Sequence, residues 1–237
     1  DTTRKIVAAQ GLSGPIAHDL ADLATAAVLY RETMAPSLRV QCIVRFASEQ
    51  GQLVADSHPD GWSRGLLQTP DRDSPPDIRT TSATLEMMRT LPNSDLHRGV
   101  VEVPNSGNLS DAFMRYMQLS EQIVSMISLG SVLDGEQAAS GGYVVQLLPE
   151  AKEAESAVEL MTKRLEDFVD IRERLQRTDG SPRELIETIF EDMPFTWLHQ
   201  SDIHFGCQCS DLRVMTTLSL LDRSDIQELV DEGEPLS

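Results

Sequence analysis

The chain changes character at Ala151, and ahead of that point helices and hairpins mix in an α+β pattern rather than repeating βαβ units. Ahead of it, short alternating runs stand between helical ones. Residues 38–46 alternate and are rich in β-branched side chains, the mark of a strand, with 52–55 as a hairpin partner through Glu49-Gln50-Gly51. Residues 82–90 and 99–103 read as two further strands around a polar turn, and 140–148 as a short buried strand ending at Pro149. Ile16, Leu20, Leu23, Ala24, Ala27 and Val28 recur three or four apart and predict a helix that Pro36 stops. Gly11 and Gly14-Pro15 separate it from a shorter helix begun near Asp1. Phe113, Tyr116, Met117, Ile123 and Ile127 predict a helix over 111–127, and the Pro/Asp-rich stretch 69–78 an exposed loop. The order is that of an α+β domain.

Beyond Ala151 the chain is strongly charged. Over 152–176, Ala154, Val158, Met161, Leu165, Phe168 and Leu175 give a near-heptad seam, with Arg172 in the intervening slot. Ser181-Pro182-Arg183-Glu184 is a capping box that starts a second helix running to Pro194. Two helices with narrow apolar seams need a surface to lie on, either the core domain or a partner subunit. The remainder holds a cysteine pair and two short helices, with Ser210 and Ser224 as N-caps. The expected division is a core domain over 1–151, a helical linker over 152–197 and a small thiol unit over 198–237.

Composition narrows the function. Against 20 Lys and Arg stand 38 Asp and Glu, a net charge of −18, which argues against nucleic acid or an anionic membrane surface as partner. Apolar residues make up 40% and charged residues 24%, ordinary for a globular chain. No apolar run approaches the ~20 residues of a membrane helix. Three cysteines are too few for a secreted disulfide scaffold, and no signal-like stretch opens the chain, so a cytoplasmic protein is expected. Asp1, rather than Met, at the start points to trimmed ends.

Cys207-Gln208-Cys209 is the sharpest chemical feature. Two thiolates one residue apart supply half of a tetrahedral zinc site, or they oxidise to a strained, easily reduced disulfide. Equally, they are two ordinary thiols near a surface turn. His199 and His204 lie close enough in sequence to add ligands, in a spacing that matches no established zinc pattern. His18, His58 and His97 are scattered, and Cys42, in an alternating strand, reads as a small buried hydrophobe. Met114, Met117 and Met161 read as core, with an adaptable apolar surface as the alternative. No nucleophile elbow, phosphate loop, dinucleotide fingerprint or zincin motif occurs, so no enzyme is expected.

Three motifs together resemble the redox-regulated 33-kDa heat-shock chaperones, the HslO family. They are the helix ending in Ser120-Glu121-Gln122, the segment Gly141-Gly142 with Gln146, Pro149 and Ala151, and Phe205-Gly206-Cys207-Gln208-Cys209-Ser210. Weaker echoes are Gln52 to Asp56, Ser63-Arg64-Gly65 and Arg98-Gly99, all collinear with the family pattern. Residues 81–88 diverge from the family's glycine-containing strand. The family's second cysteine pair is expected some thirty residues after the first, just where the given sequence stops at Ser237, so either the tail has been cut or left out or this member lacks the pair.

The resemblance implies an ATP-independent holdase that binds unfolding client proteins. In that family four thiolates hold zinc in the inactive state; oxidation forms disulfides, expels the metal, unfolds the linker and yields an active dimer. Cys207 and Cys209 would be the zinc ligands and the redox pair. A homodimer through the linker helices is expected. With one cysteine pair the zinc site is incomplete, and the chain is expected to be active without oxidation. Two readings of other classes stay open: a thiol-disulfide oxidoreductase using Cys207 and Cys209, and an acidic interaction module with a structural metal.

Overall fold

Alternation along β1 (Val40–Phe46) sends Val40, Cys42, Val44 and Phe46 to one face, and all four are buried. The computed structural model describes residues 2–90, 95–133, 138–148, 155–177, 181–207 and 210–233. β1 lies between β2 (Gln52–Ser57) and β4 (Ala83–Thr90), both antiparallel to it. β3 (Trp62–Gln68) and β5 (Leu96–Glu102) extend the sheet, and a two-residue β8 (His204–Phe205) adds to β3 in parallel, giving the order β5-β4-β1-β2-β3-β8. A second sheet pairs β6 (Ser125–Val132) with β7 (Ala139–Gln146).

α1 (Thr2–Gln10) and α2 (Pro15–Glu32) meet at Gly11 and Gly14, both at positive φ, with Pro15 at the start of α2. α2 buries Leu20, Leu23, Ala27 and Tyr30 against the inner face of the large sheet. Gly65 makes this close packing possible, because a Cβ there would sit 2.7 Å from Ile6 Cγ2 and 2.9 Å from Leu20 Cδ1. α3 (Leu109–Leu119) is capped by Asn108, whose side chain accepts from Ser110 N at 2.9 Å. The mixed helix and strand content is that of an α+β chain. Its two compact units are Asp1–Phe205 and Gly206–Ser237; the second holds α7 (Asp211–Leu218) and α8 (Arg223–Glu232).

Five expectations need correction. The helix expected over 111–127 ends at Leu119. Ser120 N closes its last turn on Tyr116 O, Gln122 takes φ 58°, and β6 begins at Ser125. The helix expected over 152–176 is broken: α4 (Glu155–Leu165) runs into a 3-10 turn at Glu166–Phe168, and α5 (Arg172–Arg177) starts afresh. The carbonyls of Phe168 and Val169 accept from Tyr143 Oη and Ser128 Oγ instead of helix amides, and Asp170 Oδ1 caps Arg172 N at 3.0 Å. Asp222, not Ser224, occupies the cap position of α8. α6 (Pro182–Ile189) begins as the capping box predicts, with Ser181 Oγ accepting from Glu184 N, but stops before Pro194. The strand at 140–148 is only half-buried apart from Tyr143, and the turn expected after Thr90 lies outside the described residues.

The Ser120-Glu121-Gln122 motif has a structural role. Glu121 accepts from Tyr30 Oη at 2.5 Å, Tyr116 Oη at 3.0 Å and Arg89 Nη1 at 2.8 Å. Burial opposes its ionisation, but these donors outweigh burial and hold the carboxyl below its ordinary range. Burial and the adjacent carboxylate push both tyrosine hydroxyls far up. Gly99 leaves room for this cluster: a Cβ would meet Tyr116 Cε2 at 2.6 Å. Glu121→Ala should destabilise the chain by about 3 kcal/mol, because it strands a guanidinium and two buried hydroxyls. Urea unfolding monitored by circular dichroism measures the loss, and a cost under about 1 kcal/mol would contradict this role.

Candidate functional site

The second conserved-looking motif, Gly141-Gly142, lies on β7 directly under the linker. A Cβ on Gly141 would sit 2.9 Å from Leu175 Cδ2, and one on Gly130 of β6 would sit 3.0 Å from Arg172 Cγ and 3.3 Å from Ile171 Cγ1. Bare backbone on both strands thus lets α5 lie almost on the sheet. Leu165, Phe168, Ile171, Leu175, Leu185 and Ile189 form an apolar cluster with Tyr143, separate from the main core. Hydrogen bonds to the linker backbone pin it: Ser128 Oγ donates to Val169 O at 2.8 Å and Tyr143 Oη to Phe168 O at 3.1 Å. Arg174 stacks 4.9 Å over the Phe168 ring, and Arg164 Nη1 donates to Ile189 O at 3.1 Å, tying α4 to α6.

The fit is not tight. A cavity of about 290 Å³ remains between α1, α2, β7 and the linker, bordered by Val28, Leu29, Gly141, Leu175, Leu185 and Ile203. Side chains along a void lose dispersion partners, so docking is weaker than the buried area suggests. Leu165 and Phe168, read as a seam in need of a docking surface, find it within their own chain.

After α6 the chain crosses an aromatic cluster, with Phe195 against both Phe190 and Trp197 and Arg183 stacked 4.9 Å over Trp197. It then returns to the core sheet. Ser201 Oγ bonds Glu32, Thr2 Oγ1 donates to Ile203 O at 3.0 Å, and His204 N donates to Gly61 O at 3.0 Å. Gly61 is required there: its φ is 85°, and a Cβ would meet Asp202 O at 2.3 Å. Cys207 follows β8 by two residues and is exposed. Cys209 lies outside the described residues. His204 is taken up in β8 and His199 is exposed, and no group of three or more His, Cys, Asp or Glu able to hold a metal occurs among the described residues. Cys42 is fully buried and burial pushes its thiol far up, so it behaves as the inert hydrophobe its strand predicted.

A polar cleft of about 490 Å³ lies beside the linker, where Asp19, Asp22 and His18 of α2 face Ser131 and the linker residue Arg172, a grouping no sequence spacing marks. Arg79 grips Asp19 at 2.7 Å, yet burial still raises that carboxyl. Asp22 Oδ1 is buried without a hydrogen-bond partner among the described residues. Desolvation pushes Asp22 up to about 6, against the pull of Ser131 and Arg172. A folded value above the unfolded one means its contribution is fully present below about pH 4 and is lost as pH rises through 6. Asp22→Asn should therefore match the parent near pH 3 and exceed it by about 2–3 kcal/mol at pH 7, read from urea melts at both pH values. Equal stability at pH 7 would show that this carboxylate is not strained.

A family model described as "Hsp33 protein" matches residues 1–237. Proteins named 33 kDa chaperonin are similar in sequence: that of Bacillus pumilus is 26% identical over 193 residues, covering 77% of this chain and 65% of the relative. That of Bacillus velezensis is 28% identical with the same coverage, and one from Clostridium botulinum is 33% identical over 132 residues, covering 54% of this chain and 43% of the relative. The chain thus spans about two thirds of the length of the curated relatives it matches. The crystal structure of the 33 kDa chaperonin (heat shock protein 33 homologue) of Thermotoga maritima superposes with a TM-score of 0.79 over 99% of this chain and 82% of that one, at 20% identity, and so shares the fold. With the family model matched end to end, and the Glu121 cluster and the glycine-floored linker dock in place, this chain belongs to the Hsp33 family.

Proposed function

We propose that the chain is an ATP-independent holdase whose client surface is the linker seam together with the β6–β7 face beneath it. The observation that carries this reading is the second apolar cluster, buried by a charged segment that a few hydrogen bonds and a loosely filled cavity hold down. Such a segment opens at low cost relative to the core. Lifting it would uncover Phe168, Ile171, Leu175 and Tyr143 at once, a contiguous apolar patch suited to unfolded chains. No catalytic step is needed, which sets this reading apart from a thiol oxidoreductase. A released seam could also pair with that of a second copy, the route by which a homodimer would form.

Cys207 and Cys209 are the redox handle in this proposal. Two thiols and one hydrogen peroxide give one disulfide and two waters. β8 ties the chain just before this pair to the core sheet, so strain in the pair would pull on the end of the linker. Two thiolates are half of a tetrahedral donor set, and linker docking is built from contacts within Asp1–Phe205. The 237-residue chain should therefore act in the reduced state, with the docked linker as its main restraint.

Ile171→Asp tests this, since it places a carboxylate at a fully buried dock position. In excess reductant without ATP, the parent should suppress aggregation of a heat-unfolding client at near-stoichiometric ratio. The variant should do so at a several-fold lower ratio, while the melting of the main core is retained. Cys207→Ser with Cys209→Ser should behave like the parent. A folded Ile171→Asp chain with no gain in light-scattering suppression would sink the linker surface as the client site.

A further inference from the structure

The cavity beneath the linker is walled from both sides of the dock. Its 290 Å³ is enclosed by α1, α2, β3 and β7 of the core, by Leu175, Pro182 and Leu185 of the linker, and by Ile203 just ahead of β8. The apolar part of the wall is aliphatic, and Gly141 and Gly142 add a stretch of bare backbone on which a planar ring can lie. A dry cavity of about 150 Å³ takes one benzene ring, so this space suits two fused rings.

Six hydroxyl residues share the lining, and four of them have their single proton spent inside the protein. Thr2 Oγ1 donates to Ile203 O at 3.0 Å, Ser63 Oγ to Asp56 O at 3.0 Å, and Thr25 Oγ1 to Ala21 O at 2.9 Å. Thr25 has no second proton, so across its 2.8 Å contact with Ser140 Oγ the serine is the donor. These four oxygens keep lone pairs but no proton to give. Thr3 and Ser181, whose Oγ accepts from Glu184 N, complete the set. The polar wall therefore has more acceptors to offer than protons. No carboxylate lines the pocket among the described residues, and its lining cation, Arg174, is stacked 4.9 Å over the Phe168 ring. An ammonium group finds no counter-ion there. A carboxylate meets a wall short of protons, in a chain of net charge −18.

We propose that this pocket binds a small neutral bicyclic aromatic molecule carrying an N–H or O–H donor, of the indole or naphthol type, with Ser140 Oγ as its acceptor. Ser140 stands next to the bare backbone of Gly141-Gly142 and is only half-buried, whereas Ser63 and Thr25 are buried. A molecule held there touches core and linker at once. It loses the linker's share of its contacts when that segment lifts, so by mass action it favours the docked arrangement. Its effect on client capture, and that effect alone, rests on the holdase reading: the ligand would be an inhibitor.

Calorimetry and methyl NMR on the 237-residue chain test the proposal, with indole, 1-methylindole and indole-3-carboxylate as probes. Indole should bind with a Kd below about 1 mM and move the Val28 and Leu185 methyl signals. It should bind at least about threefold more tightly than either of the other two, the worth of one hydrogen bond. Ser140→Ala should weaken indole about threefold and leave 1-methylindole unchanged, a split that a merely structural serine would not produce. Val28→Phe fills the pocket from a half-buried position and should weaken indole at least about tenfold with melting retained. Bound indole should also slow hydrogen exchange several-fold at Leu175 N, which donates to Ile171 O at 2.9 Å in the docked linker. Equal or tighter binding of 1-methylindole or of the carboxylate would overturn the proposal. So would a folded Val28→Phe chain that binds as the parent does, or Leu175 exchange that saturating indole leaves unchanged. Light scattering separates the two readings. Indole binding of this kind in a reduced chain that suppresses no aggregation would remove the holdase and keep the pocket; suppression without indole binding would do the reverse.

Discussion

Close approach of the linker to β6 and β7 depends on Gly130 and Gly141, and much of the chain after β7 follows from it. With a side chain at Gly130, the Arg172 and Ile171 side chains must give way by a few tenths of an ångström, since contacts at 3.0 and 3.3 Å are tighter than ordinary packing. The carbonyls of Phe168 and Val169 then lose reach to Tyr143 and Ser128. Those two bonds divert the helix at 166–171, so the same glycines that permit docking also account for the break between α4 and α5. A continuous helix would turn Ile171 and Leu175 with its own period and would not place both on the strands.

Helix boundaries set by local chemistry were legible from sequence. Gly14-Pro15 and the Ser181 capping box each act through neighbours in the chain, and the helices begin one residue after the cap. Strands were legible where one face is buried by pattern alone, as in β1. They were lost where pairing decides. Ile123 and Ile127 suit a helical stripe and a strand equally, and β6 becomes a strand because Gln122 turns the chain and β7 supplies the partner. β3 has no clean alternation; its place is set by six register pairs with β2.

The candidate site divides the same way. The cysteine pair was visible because its spacing is local. The glycine motifs were visible as motifs, but what they touch, Leu175 for Gly141 and Tyr116 for Gly99, lies 34 and 17 positions away in sequence. The Asp22 cleft and the ion pairs on the large sheet left no sequence signal. Arg39 and Arg64 flank Asp56 at unequal sequence distances, and only strand register brings them to one carboxylate. Electrostatic sites assembled across strands carry no fixed spacing for a sequence reading to find.

Charge placement then bears on the linker dock. Residues 1–151 hold 18 acidic and 11 basic side chains, and 152–197 hold 12 acidic and 7 basic, so core and linker both carry net negative charge. Several of the core arginines are committed inside: Arg89 to Glu121, Arg79 to Asp19, and the sheet arginines to Asp56 and Glu86. What meets the linker across β6 and β7 is mainly apolar contact and carbonyl hydrogen bonding, with Arg172 facing the α2 carboxylates at one edge. Apolar burial is undirected and scales with area, so the linker is held as a patch and released as a patch. A dock strengthened by core–linker ion pairs would come apart pair by pair and expose charge first. In the holdase reading proposed above, lifting the segment would expose apolar surface first, the property such a gate requires.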